Sequence, residues 1–159
     1  MPSVASSWQT FVDAVMADLT TNVPGLRDVR EHRYSPYDPE ELVAEVGERH
    51  LSVFPVAAQA QEATPLVTGP GGDLITEVYR ITYWEHAGDE SSRGVSDEDA
   101  AADLLTLAED VRDRFYVIAN LRIGGTELTR YIGTAFPERS GQVRWFAIGV
   151  QARRSVVAT

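Results

Sequence analysis

Leu74-Ile75-Thr76-Glu77-Val78-Tyr79-Arg80-Ile81-Thr82-Tyr83-Trp84-Glu85 is the stretch on which the fold turns. Ile75, Tyr79, Ile81 and Tyr83 point one way, while Thr76, Arg80 and Thr82 point the other. That alternation is the period of a half-buried strand, and its β-branched and aromatic residues pack well on a pleated surface. Upstream, His50 to Val56 reads as a second strand with Leu51, Val53 and Phe54 as its apolar content, and Pro55 marks an edge position or a strand end. Pro65, Gly69, Pro70, Gly71 and Gly72 fall between the two, so Gln59 to Gly72 is expected to be a long loop or a splayed hairpin tip.

Downstream of the middle strand a polar loop is expected from Glu85 to Val95. Ser96 then opens a helix, with Asp99 three residues later in a capping-box arrangement. Leu104, Leu107, Ala108, Val111, Phe115 and Ile118 form its apolar stripe, and Asn120 with Gly124-Gly125 closes it. A terminal hairpin follows: a strand over about Glu127 to Phe136, a turn at Glu138-Arg139-Ser140-Gly141, and a last strand from Gln142 to Val156. Phe146, Ile148 and Val150 line one face of that strand; Val143, Trp145 and Ala147 line the other, which predicts burial on both sides or contact with a partner.

At the other end of the chain, residues 7–21 form an amphipathic helix with Trp8, Phe11, Val12, Val15 and Leu19 on one face, stopped by Asn22-Val23-Pro24-Gly25. Leu26 to Tyr34 is charged and extended. Asp38-Pro39-Glu40-Glu41 predicts one or two helical turns over Glu40 to Val46, ending near Gly47. The order α-β-β-α-β-β is that of an α+β fold. The economical arrangement is a mixed or antiparallel sheet of about four to five strands with two helices packed on one face. No internal repeat or linker divides residues 1–159, so a single domain is expected.

Composition removes several function classes. The 159-residue chain has no cysteine, which excludes disulfides, thiolate metal sites and cysteine nucleophiles. His32, His50 and His86 are too dispersed in sequence to form a helical or hairpin metal-ligand pair. Twenty-four acidic against 14 basic residues give a net charge of -10, which disfavours sequence-independent DNA binding. Every basic residue is arginine; GC-rich coding and bidentate contacts between subunits both account for that. No apolar run is long enough to span a bilayer and no secretory signal is visible, so folding in a cytoplasm is expected.

Catalytic patterns are missing. There is no G-x-S-x-G elbow, and Gly69-Pro70-Gly71-Gly72 lacks the Lys-Ser/Thr pair of a phosphate loop. Asp97, Glu98, Asp99 and Asp103 have no calcium-loop spacing and suit the positive end of a helix dipole. His86 beside Trp84 and Glu85 falls at the entry of a polar loop, where a solvated histidine is expected. Arg153-Arg154 suits either phosphates or a salt bridge to a neighbouring subunit. The reading is therefore no enzyme, no cofactor and no metal.

Taken in order, Trp8-Gln9-Thr10-Phe11-Val12 closed by Asn22-Val23-Pro24-Gly25, then Tyr37-Asp38-Pro39-Glu40-Glu41-Leu42 leading into Leu51-Ser52-Val53-Phe54-Pro55, then Tyr79-Arg80-Ile81-Thr82-Tyr83-Trp84, the helix carrying Leu104-Leu105-Thr106-Leu107, and the hairpin through Arg144-Trp145-Phe146-Ala147-Ile148 resemble a siphophage tail terminator. The resemblance covers nearly all of the chain. It implies a hexameric ring, a homo-oligomer that caps the head-proximal end of the tail tube, stops its polymerisation and joins it to the neck. The implied partners are the tail-tube protein and a neck or head-completion protein. The resemblance also implies that DNA passes through the lumen without specific binding, that no membrane is involved, and that the protein resides in the virion tail or neck after assembly in the host cytoplasm. Residues assigned to subunit or partner contacts are Trp145, Arg144, Tyr83, Trp84, Arg139 and Arg153. Two alternatives stand beside this one. The first is another neck component, such as a head–tail joining protein. The second is a small-ligand binding module with Tyr79, Tyr83, Phe136 and Trp145 lining its pocket.

Overall fold

The computed structural model describes residues 8–32, 42–45, 47–61, 72–87, 97–116, 128–136 and 143–157. Helix α1 spans Trp8–Asn22 and is followed by a 3-10 turn at Pro24–Leu26. Strands β1 (Arg30–His32), β2 (Arg49–Gln61) and β3 (Gly72–His86) come next. Helix α2 (Asp97–Tyr116) and strands β4 (Leu128–Ala135) and β5 (Val143–Val157) complete the order. The strands form one mixed five-stranded sheet in the order β1-β2-β3-β5-β4. All pairings are antiparallel except β1 with β2. The α+β fold with two helices over one face is as the pattern predicts.

The helices share one core with the sheet. Phe11, Val15 and Leu19 of α1 and Val111 and Phe115 of α2 are buried against Leu51, Val53, Tyr79, Ile81, Phe146, Ile148 and Val150. The α1 stripe holds from Phe11 onward, whereas Trp8 at its start is 55% exposed. Pro24 cannot donate a backbone bond, so the helix ends in a tighter turn in which the Leu26 N–H reaches the Val23 carbonyl at 2.9 Å. Leu26 is buried as a result. One part-buried ion pair ties the helices together: Arg114 of α2 donates Nε and Nη2 to the two Asp18 carboxylate oxygens of α1 at 2.8 and 2.7 Å. That bidentate geometry is the strong form of the interaction and raises the Arg114 pKa.

Several local expectations change. The extended reading of Leu26 to Tyr34 becomes a strand at Arg30–His32, which pairs in parallel with His50, Leu51 and Ser52. No helical turn forms over the described residues 42–45. Instead the Glu48 N–H bonds the Glu45 carbonyl at 2.9 Å, and Gly47 takes φ +84°, a left-handed turn leading into β2. Leu42 is the reason: it is drawn under Trp84 and Val143 on the sheet face away from the helices, and tertiary burial overrides the local helix signal. Strand β2 runs on to Gln61 and β3 begins at Gly72, so both ends of the stretch expected to be a loop or hairpin tip are strand, and 62–71 lie outside the described residues. Ser96, Ile118 and the 138–141 turn also lie outside them.

Candidate assembly surfaces

Pro55 reads as an edge position or a strand end, and the sheet order explains why it is tolerated inside β2. Among the described residues β1 covers β2 only at His50–Ser52, so from Val53 onward β2 is the outer strand. The ladder with β3 slips between Pro55 and Ala57, leaving Val56 as a bulge that is 38% exposed. The opposite edge, β4, carries its own irregularity between Tyr131 and Gly133. Ile132 rises there over Gly149, where a Cβ would stand 3.0 Å from the Ile132 side chain, so the glycine makes room for it.

The sheet face away from the helices is closed at one end by a small cluster. Leu42, Trp84 and Val143 are buried there, with Ala44 and Trp145 against them, and Trp84 Nε1 donates to the Val43 carbonyl at 3.2 Å. His50 stacks on Trp84 at 5.1 Å and 10° between planes. His32 completes the group, its Nε2 2.7 Å from His50 Nδ1. Two histidines dispersed in sequence thus meet because β1 and β2 run parallel. Burial lowers the His32 pKa, with His50 and Arg30 acting the same way. Glu48 stands 3.3 Å from His50 Nε2, and its own pKa is lowered chiefly by the Glu45 N–H it accepts. Among the described residues no group of three or more His, Cys, Asp or Glu is placed to hold a metal ion.

On the helix side, a cleft of about 410 Å³ opens between the 3-10 turn, the start of β2 and α2. Its base is a polar chain: Arg49 donates Nε to the Tyr83 hydroxyl at 2.9 Å and Nη2 to the Gly25 carbonyl, and Tyr83 donates to Glu85 at 3.2 Å. Burial, with Glu85 adding to it, pushes the Tyr83 pKa up to about 12. Asp103 and Asp110 of α2 form the acidic rim. The bonds of this polar chain tie the ends of β2 and β3 to one another and to the 3-10 turn.

Of the six residues assigned to contacts, Trp84 and Trp145 are cross-strand partners and Tyr83 and Arg144 stand in the rows beside them, while Arg153 lies further along β5 opposite Thr76. Within one subunit Tyr83 and Trp84 are buried at 2% and 3%, on opposite faces of β3. An aromatic-rich strand end reads the same in sequence whether it is covered by its own chain or by a partner. Arg144 is also buried, donating Nη2 to the Ala87 carbonyl at 3.2 Å. Trp145 is half-buried beside the Leu42 cluster, Arg153 is half-buried on β5, and Arg139 lies outside the described residues. The aromatic quartet of the ligand-pocket alternative does not converge: Tyr79 and Tyr83 lie in the helix-side core, Trp145 on the other face, and Phe136 is 51% exposed. Sequence reasoning missed the exposed apolar residues Val56 and Ile132, whose signal, a bulge, is a property of strand pairing.

No family model matches this chain, and no curated protein matches it. Among solved structures, it is similar to a chain of the "Virion of native gene transfer agent (GTA) particle", with 15% sequence identity, a TM-score of 0.50 and coverage of 98% of both chains. At that identity the likeness is one of fold, and it covers nearly the whole of both chains.

Proposed function

We propose that this chain is a structural virion protein, a tail terminator whose ring caps the head-proximal end of a tail tube and joins it to the neck. The observation that carries the reading is the end-to-end fold likeness to a chain of a gene transfer agent virion. The order of elements that resembles tail terminators supports it. A closed ring requires two different patches per subunit, and a sheet with two unlike edges supplies a pair of them. The net charge of -10 suits a lumen along which DNA slides without adhering. No bond is made or broken.

The test is the mass of the purified protein alone and its behaviour with assembled tail tubes. A closed ring that binds one end of the tube and halts elongation is expected. A ring that ignores tubes and binds a portal-side protein moves the assignment to another neck component. A single subunit indifferent to both contradicts the proposal.

A further inference from the structure

An unpaired strand edge is a row of backbone donors and acceptors that a second strand can satisfy, and proteins that stay monomeric guard such edges with charges, prolines or bulges. Here the guards stop short. Pro55 and the Val56 bulge sit just beyond the end of β1. From Ala57 to Gln61, β2 pairs with β3 in an unbroken ladder, and no described strand lies on its other side. None of the residues Val53–Gln61 is charged, and β4 has Arg130 as its one charge, in a chain with 24 acidic residues. The two outer strands are thus where copies of a strongly acidic subunit can meet without like-charge repulsion.

The register adds geometry. Ala57 lies in one row with Val78, Gln151 and Arg130, and Gln59 in one row with Thr76, Arg153 and Leu128. The regular parts of both edges therefore stand at the same height across the sheet. Because β2–β3, β3–β5 and β5–β4 are all antiparallel, β2 and β4 run in opposite directions. A rotation about an axis along the strands keeps them opposed, so β4 of one copy beside β2 of the next continues the alternation without climbing. Exposed apolar side chains flank both edges: Val56 on β2, and Ile132 and Phe136 at 48% and 51% exposure on and just after β4.

We infer that subunits join edge to edge, with β4 of one copy adding antiparallel to the Ala57–Gln61 edge of β2 in the next. This rests on the ring reading above and names the surfaces that would make the ring. It is a heterologous interface, and the equal height of its two halves favours closure over an open helix.

The 159 residues include no cysteine, so engineered pairs report without background. The variants Gln59→Cys/Arg130→Cys and Ala57→Cys/Arg130→Cys, oxidised and run under denaturing conditions, test the contact directly. At least one pair is expected to give a ladder of covalent multimers ending at the mass of the ring, and the single variants none. Ala57→Lys/Gln59→Lys, which sets new cations against Arg130 of the neighbour, is expected to reduce the multimer to single subunits with unchanged circular dichroism. If it fails to fold, the cysteine pairs decide. A wild-type ring with no ladder from either pair overturns edge pairing and leaves the terminator reading standing. Covalent dimers from Gln59→Cys alone mean β2 meets β2 and overturn the β4 assignment. A wild-type protein that stays a single subunit at every concentration, with no ladder, overturns both.

Discussion

Two neighbouring rows of the sheet, one residue apart in register, show its two faces at the same height. Leu51, Tyr83 and Phe146 face the helices; His50, Trp84 and Trp145 face away. The first row is buried almost completely, and the Tyr83 ring stacks on Phe146 at 5.4 Å. The second row is covered by a short irregular segment and by the His32 side chain of β1, and it mixes an imidazole pair with indoles. Trp145 Nε1 is buried with no acceptor among the described residues. The difference is one of covering element. Two helices exclude water over the whole width of a face, whereas a few residues of coil must use polar, directional contacts to hold their place.

If the helix-side row carries the fold, Phe146→Ala is the most damaging change, costing about 3–5 kcal/mol through lost burial and the cavity left behind. Urea denaturation followed by circular dichroism measures it; a loss under about 1 kcal/mol would erase the contrast between the faces. Leu42→Ala removes the cover of the other row and is expected to cost less, about 2 kcal/mol, because coil can settle into the space. An equal or larger loss than Phe146→Ala would reverse the ranking.

Acidification sharpens the comparison further, since the imidazole pair is on one face only. The His32 pKa lies below its ordinary 6.5, so the unfolded chain takes up that proton first as pH falls. Its contribution is therefore intact above pH 6.5 and is lost as pH drops toward the folded value. His32→Phe should flatten the dependence of the melting temperature on pH in that window; an unchanged slope would show that the pair is not its source. The smallest effect belongs to Trp145→Phe. It deletes a buried donor along with part of a ring, and the two changes oppose each other, leaving a net change within about 0.5 kcal/mol.

The legible parts of the fold were those with a long period. The apolar stripes of α1 and α2 and the alternation of β3 and β5 specify which face each buries. Tyr79, Ile81, Phe146 and Ile148 fall where their spacing puts them. What the sequence hid depends on pairing between distant segments. Arg30-Glu31-His32 has no strand pattern of its own and becomes β1 only because β2 accepts it. The Asp38-Pro39-Glu40 signal did not make a helix of 42–45, because Leu42 gains more under Trp84. The assembly surface was half legible: an edge was readable at Pro55, but the edge at β4 and the bulges at Val56 and Ile132 appear only once the register is known.

A three-residue strand such as β1 is too short to persist by its own ladder. It is held because the chain before it is pinned at Leu26 and Gly25 and the chain after it at Arg49, whose guanidinium grips the Gly25 carbonyl from the first turn of β2. The 3-10 turn and β1 are thereby fastened to the start of β2 and should open as one cooperative unit. The amide protons of Leu26 and of Arg30–His32 are then expected to exchange with deuterium together, and Arg49→Ala to release them together while leaving α2 protected.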